Sequence, residues 1–279
     1  MTNRLTLAAG QKIFQRLPYP LDSLKKPIPL RAEDAATALG YHGQPVDLSL
    51  PLAKEPLVMA KAFGLSSQSF YARTDGANAP YNRSIPGALA EVWMRESVAV
   101  RLVQANQMLA NRGLQLHLWD AYRPIETQQS LWQHFIDVGR RELNTDEYEE
   151  LRQYAGQFVS EPSGFDEEDP LTWPTHNTGG AVDVTLKSTV SGHCLDMGSG
   201  YDESTDRSFT DHFERGQDAA NKVALNNRRI LYNVMLKVGF ANYPYEWWHF
   251  DYGTQMWLQN GGGGSGCTKA WYGPARLPA

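Results

Sequence analysis

Chemistry in this 279-residue chain concentrates around two of its seven histidines. The first, His176, stands in T-H-N-T-G-G-A-V-D over 175–183. Gly179 and Gly180 permit a tight turn, and AVDVTL (181–186) alternates as a half-buried strand does. That alternation puts Ala181, Asp183 and Thr185 on one face and Val182, Val184 and Leu186 on the other. A carboxylate in a strand whose opposite face is buried is costly unless its charge is compensated. A divalent cation compensates it; the small Ala181 leaves room beside the acid, and the turn can fold His176 back over Asp183. A hydrogen bond within the loop is the plainer alternative.

The second histidine, His249, stands in Y-E-W-W-H-F over 245–250, three residues after Glu246. In an ideal strand that odd spacing sends the two side chains to opposite faces. Both reach one site only if the strand ends or bulges there, which Pro244 favours. Two imidazoles and one carboxylate leave a fourth tetrahedral position for water, the pattern of a catalytic zinc. A further glutamate outside the ligand set takes the proton from that water. The alternative is an edge strand carrying a solvated acid. A third segment, D-A-Y-R-P over 120–124, holds Arg123 extended before Pro124. A fixed guanidinium at a strand end suits an oxyanion or a carboxylate; otherwise it is a surface pair with Asp120, worth little. His42, His117, His134, His193 and His212 have no partner at ligand spacing and read as surface or structural residues.

The elements that must position these groups follow from periodicity. Residues 91–111 carry Val98, Leu102, Val103 and Leu109 at helical spacing, with Gly113 as a stop. LQLHLW (114–119) alternates, leucines on one face and Gln115, His117 and Trp119 on the other, as a strand. A helix opens after Pro124, with Ile125, Leu131 and Phe135 inward, and another begins near Thr145. Residues 161–175 and 187–216 read as loops, the second long enough to be functional. Val223, Ile230, Val234 and Val238 give a helix over 218–238, ended by Gly239, and YEWWHFDY (245–252) reads as a strand. Helices and strands do not alternate in a βαβ series, so the fold class is α+β, helices packed on a mostly antiparallel sheet. The chain divides into an N-terminal extension (1–85) packed on the core, a core (86–259) and a flexible glycine-rich tail (260–279).

Composition excludes several classes. Hydrophobic residues are 42% and charged residues 20%, enough for a sizeable core and against wholesale disorder. The net charge of -5, without any run of Lys and Arg, gives no footprint for nucleic acid. No apolar stretch approaches the ~20 residues of a membrane span. The first apolar run is too short for a secretory signal, so the cytoplasm is the expected location. Cys194 and Cys267 make no disulfide framework and are expected as free thiols.

In order, DAYRP, HNTGGAVDVTL, DMGSGYD and EWWHF resemble the zinc D-alanyl-D-alanine dipeptidases of the vancomycin-resistance type, over about residues 90–255. These are related to the zinc D,D-carboxypeptidases and share a fold with the Hedgehog signalling domain. The resemblance implies one Zn2+ per chain on His176, Asp183 and His249, with Glu246 as general base and Arg123 stabilising the transition state. It also implies that Asp202, in D-M-G-S-G-Y-D, holds the ammonium of a short peptide substrate such as D-alanyl-D-alanine. The family's serine two residues before the first zinc histidine is replaced by Pro174, with Thr175 adjacent, which alters one substrate contact. Two rival readings stand beside a dipeptidase. One is a D,D-carboxypeptidase acting on longer cell-wall peptides, which needs no Asp202. The other is a non-catalytic Hedgehog-like zinc-binding module, which needs neither Glu246 nor Arg123.

Overall fold

Alternating leucines in 114–120 and valines in 181–186 call for a sheet with one wholly apolar face. The computed structural model describes residues 21–31, 40–216 and 221–278. Its strands are Leu57–Met59 (β1), Ser66–Ser67 (β2), Trp93–Arg95 (β3), Leu114–Asp120 (β4), Ala181–Ser188 (β5), Ala241–Asn242 (β6) and His249–Asp251 (β7). Its α-helices are Glu96–Leu109 (α1), Ile125–Leu143 (α2), Tyr148–Ala155 (α3), His212–Arg215 (α4), Lys222–Lys237 (α5) and Gln255–Gln259 (α6). The main sheet runs β2-β4-β5-β7-β6, with β2 parallel to β4 and the other pairs antiparallel; β1 and β3 form a separate antiparallel pair. This is the α+β architecture the sequence predicts. Among the described residues no helix is long and apolar enough to cross a membrane.

Register explains the two faces. Leu116 lies opposite Leu186, Leu118 opposite Val184, and Val182 opposite Phe250. All six are fully buried, and each contributes about 1.5–3 kcal/mol by leaving water. Helices α1 and α5 pack on each other and on β4 and β5, with Val98, Leu102, Val234 and Met235 buried in the same core. The other face carries the polar side chains, and a β-bulge fixes which ones. Between Leu118 and Asp120 the β4–β5 register shifts by one residue, so Asp120 rather than Trp119 pairs with Asp183. A bulge re-aims the side chains beyond it.

Several elements differ from the sequence expectation, among them α4 (His212–Arg215), which falls inside the loop expected over 187–216. Residues 93–95 do not begin the helix but form β3, because their backbone pairs with β1; the helix starts at Glu96. The aromatic run 245–252 is a strand only over His249–Asp251, since the backbone turns at 243–246, Glu246 N donating to Tyr243 O at 3.1 Å. The helix expected from 218 is α5, from Lys222, and residues 218–220 lie outside those described.

The glycine run is not a loose tether where it is packed. A Cβ at Gly262 would lie 2.3 Å from the Trp257 indole, so the glycines let the backbone cross that ring. Beyond them Trp271 and Tyr272 are buried, and Ala275 N donates to Asn177 O at 2.9 Å. Buried Arg95 ties this end to the rest: its guanidinium donates to Thr178 O at 2.8 Å, Gly273 O at 3.0 Å and Glu55 O at 2.5 Å. Arg95→Leu leaves these three carbonyls without their donor, at about 1 kcal/mol or more apiece. Its urea midpoint is expected to fall by an amount equal to roughly 3 kcal/mol at unchanged m-value. An unchanged midpoint would mean that the carbonyls are satisfied without the arginine. Cys194 and Cys267 are free thiols, as expected.

Candidate active site

The polar row starts from pairing. Asp183 in β5 lies opposite His249, the first residue of β7, and the bulge brings Asp120, the last of β4, opposite Asp183 on its other side. His176 enters from the 3-10 turn Thr175–Thr178, which Gly179 ends at φ 72° while donating its N–H to His176 O at 3.1 Å. A Cβ at Gly179 would also lie 2.6 Å from Leu57 Cδ2, so the residue must be glycine on both counts. Arg123 N donates to His176 O and Asn177 Nδ2 donates to Arg123 O, each at 3.1 Å, so turn and arginine are positioned together.

His176, Asp183 and His249 thereby converge, buried, with one donor atom each inside 4.8 Å of the others. The hydrogen bonds fix the tautomers. His176 Nδ1 faces Ala121 O at 2.7 Å, and a carbonyl only accepts, so this nitrogen carries the proton. His249 Nε2 faces the Asp251 carboxylate at 2.9 Å and carries its proton there. The remaining nitrogens, His176 Nε2 and His249 Nδ1, therefore point lone pairs at each other across 3.1 Å, with Asp183 Oδ1 at 3.5 Å and 3.1 Å from them. Two lone pairs and a carboxylate at that separation repel unless a cation or a proton lies between them. Without a metal the proton is drawn in. Burial opposes charge on His249, yet Asp251 and Asp183 hold its pKa well above the usual histidine value. Burial likewise opposes charge on Asp183, and the two imidazoles overcome it and hold that carboxyl well below the usual range. The donor set, and the acceptors that orient both rings from behind, fit a zinc ion.

Around this centre stand the other predicted residues, all lining one chamber of about 80 Å³. Glu246 Oε2 lies 3.8 Å from His249 Nδ1, with 28% of its side chain open to solvent. Glu246 lies in the turn before β7, so the odd spacing to His249 does not separate them. Burial pushes its carboxyl up to about 8; Asp183 and Asp202 add to this, while His249 and Arg123 act against it. Arg123 is not in a surface pair: Nε and Nη2 both lie 2.8 Å from Asp120 Oδ2, and the pair is buried. Nη1 donates to Gln128 Oε1 at 2.9 Å, and Nη2 lies 3.8 Å from Asp183 Oδ2. Asp202, at φ 60°, is not on a solvated loop edge; its Oδ2 accepts from Tyr81 Oη at 2.6 Å and Tyr71 Oη at 3.2 Å. His117, off the site, meets Ser66 Oγ at 2.8 Å, a structural role as expected.

A family model described as D-ala-D-ala dipeptidase matches residues 71–260. The chain belongs to this peptidase family. The peptidase is 31% identical over 179 residues to the D-alanyl-D-alanine dipeptidase of Synechocystis, a match covering 59% of this chain and 70% of that one. It is 33% identical over 139 residues to that of Escherichia coli, covering 50% of this chain but only 55% of the relative. To that of Enterococcus faecium it is 30% identical over 160 residues, 55% of this chain and 69% of the relative. Among solved structures, VanYB in complex with D-alanine-D-alanine is similar at a TM-score of 0.36 and 16% identity, over 62% of this chain and 79% of that one.

Sequence reasoning missed several residues of the peptidase's site. Asp251 orients His249 and takes the Thr254 hydroxyl at 2.7 Å on its other oxygen. Its signal was available: two residues after His249 in one strand, it shares that face. Tyr201 donates to Asp183 Oδ2 at 2.7 Å and is adjacent to Asp202 in sequence. Tyr71 and Tyr81, which hold Asp202, precede residue 85, and nothing local marks them; Tyr71 Oη also takes Arg123 Nη2 at 3.3 Å.

Proposed function

We propose that this peptidase is a zinc-dependent dipeptidase that hydrolyses D-alanyl-D-alanine or a dipeptide close to it. The observation that carries the reading is the convergence of His176 Nε2, His249 Nδ1 and Asp183 Oδ1 within 3.5 Å of one another, in a chamber that Glu246 and Arg123 also line. His176, Asp183 and His249 would hold the zinc. A zinc ion there supplies a Lewis acid for the scissile carbonyl and makes an attacking water more acidic. Glu246 takes the proton from that water and passes it to the departing amine. Arg123, its charge fixed by Asp120 and Gln128, faces the oxyanion that develops on the carbonyl, a preorganised interaction worth about 3 kcal/mol. Asp202 pairs with the free ammonium one residue from the scissile bond.

The direct test is hydrolysis of D-alanyl-D-alanine by the purified chain before and after dialysis against a chelator. Activity is expected to vanish and to return with zinc; activity indifferent to the chelator would end the reading. Asp202→Asn tests the ammonium contact. A charge-assisted hydrogen bond contributes ~1.5–3 kcal/mol, so kcat/KM for the dipeptide is expected to fall roughly 10–100-fold at unchanged zinc content. N-acetyl-D-alanyl-D-alanine is expected to be a poor substrate of the wild type. Equal cleavage of acetylated and free dipeptide would transfer the function to longer peptides.

A further inference from the structure

The chamber at the centre is small, about 80 Å³. Asp202, Tyr243, Glu246 and Trp248 line both the chamber and an adjoining vestibule of about 830 Å³. Among the described residues this vestibule is walled by rings: Phe158, Phe209, Tyr243, Tyr245 and Trp248 all face it. Leu171 stands on its rim with 63% of its surface exposed, a large apolar side chain without cover. Of the charged groups on the same walls, Arg152, Glu161 and Glu203 are engaged with their own neighbours, while Asp206 is largely exposed, 3.8 Å from His212 Nδ1. Arg152 Nε meets Glu161 Oε2 at 2.7 Å, and Glu203 accepts from Gly200 N at 2.8 Å and Thr205 Oγ1 at 2.7 Å. What the vestibule offers a ligand is therefore mainly apolar and aromatic surface, with polar side chains such as Gln153, Thr172 and Ser208 interspersed.

We propose that this vestibule is a specificity subsite that takes a bulky apolar or aromatic side chain on the first residue of the dipeptide substrate. The inference rests on the dipeptidase reading and on Asp202 holding the ammonium. The first residue's α-carbon carries three groups besides hydrogen: the ammonium, the scissile carbonyl and the side chain. With the ammonium at Asp202 and the carbonyl beside Arg123 and the metal ligands, two positions remain at the α-carbon, and the proposal assigns the one facing the junction that Asp202 and Glu246 share with the vestibule to the side chain of a D-configured first residue. A methyl group fills little of it. A phenylalanine or leucine side chain there buries apolar surface against the rings, which favours binding. The substrates this predicts are dipeptides with a large first residue, for which alanyl-alanine is the small limiting member.

Turnover of D-Ala-D-Ala, D-Leu-D-Ala and D-Phe-D-Ala by the zinc-loaded full chain, with a tripeptide and N-acetylated dipeptides alongside, provides the test. Ser204→Trp and Ser163→Trp plug the vestibule from two different loops, at exposed residues that line it and do not line the chamber. The wild type is expected to show kcat/KM on D-Phe-D-Ala or D-Leu-D-Ala at least equal to that on D-Ala-D-Ala. Each plug is expected to lower the bulky substrates tenfold or more and to leave D-Ala-D-Ala within twofold. The proposal is overturned if D-Ala-D-Ala is cleaved well and both bulky dipeptides more than tenfold worse. It is also overturned if neither plug alters the ratio, or if the tripeptide is preferred, which would give the vestibule to the peptide chain instead. Zinc-loaded protein that turns over no dipeptide overturns the dipeptidase reading, and this inference with it.

Discussion

His176→Ala is expected to lose zinc and dipeptide hydrolysis together. The variant keeps one imidazole and one carboxylate, and it also removes one of the two lone pairs that face each other across 3.1 Å. With that repulsion gone, the cavity no longer requires a cation. Losing even a residue that merely orients a ligand typically costs 10–100-fold in metal affinity, so losing a ligand is expected to cost more. After dialysis the wild type should retain about one zinc per chain and the variant none, with turnover at the level of the uncatalysed reaction. His117→Gln is the control. That histidine is also buried, and burial lowers it to about 4, but it lies off the site against Ser66. It should leave the zinc in place. A His176→Ala protein that still holds its zinc after dialysis would remove His176 from the ligand set.

Which parts of this site are legible in the sequence depends on how local the signal is. Asp183 is legible because alternation over 181–186 places an acid within a strand, where it needs a partner, and the facing Asp183–His249 pair supplies one. The leucine face of β4 is legible for the same reason. The bulge after Leu118 is not: strict alternation aims Asp120 with the leucines, and only the observed one-residue shift turns it toward Asp183 and Arg123. That shift makes the Asp120–Arg123 pair a buried part of the site instead of a surface contact. Glu246 and His249 meet through a strand that begins only at His249, a boundary that the aromatic run conceals because tryptophan and tyrosine favour strands wherever they stand. The grip on Asp202 is the least legible feature. Its tyrosines come from 131 and 121 residues away, and no period connects them to it. The glycine tail misleads by composition: glycine signals freedom in a linker, but beside Trp257 it signals close approach.

Glu246→Gln is expected to keep zinc and lower kcat/KM by 10²–10⁴-fold, the usual cost of removing a general base. Glutamine preserves volume and one acceptor oxygen, so the turn held by Asn242 Nδ2 to Glu246 O at 3.1 Å should persist. The pH profile separates a base from a structural acid. Burial pushes the Glu246 carboxyl from its ordinary 4.5 up to about 8 in the metal-free chain, and a doubly charged cation nearby draws it down again. A base works only when deprotonated. Wild-type kcat/KM should therefore fall as pH drops through an apparent pKa that zinc holds below the metal-free value of about 8. The Gln variant should lack that limb, its residual rate being flat over the same range. Chelation by the site has its own acid limb, because protons compete for the imidazoles, so zinc content must be measured at each pH. If the variant loses its zinc, Glu246 is a ligand. If it retains both zinc and the acid limb while losing rate, the proton passes through another group, and the chamber's remaining carboxylates, Asp183 and Asp202, become the residues to test.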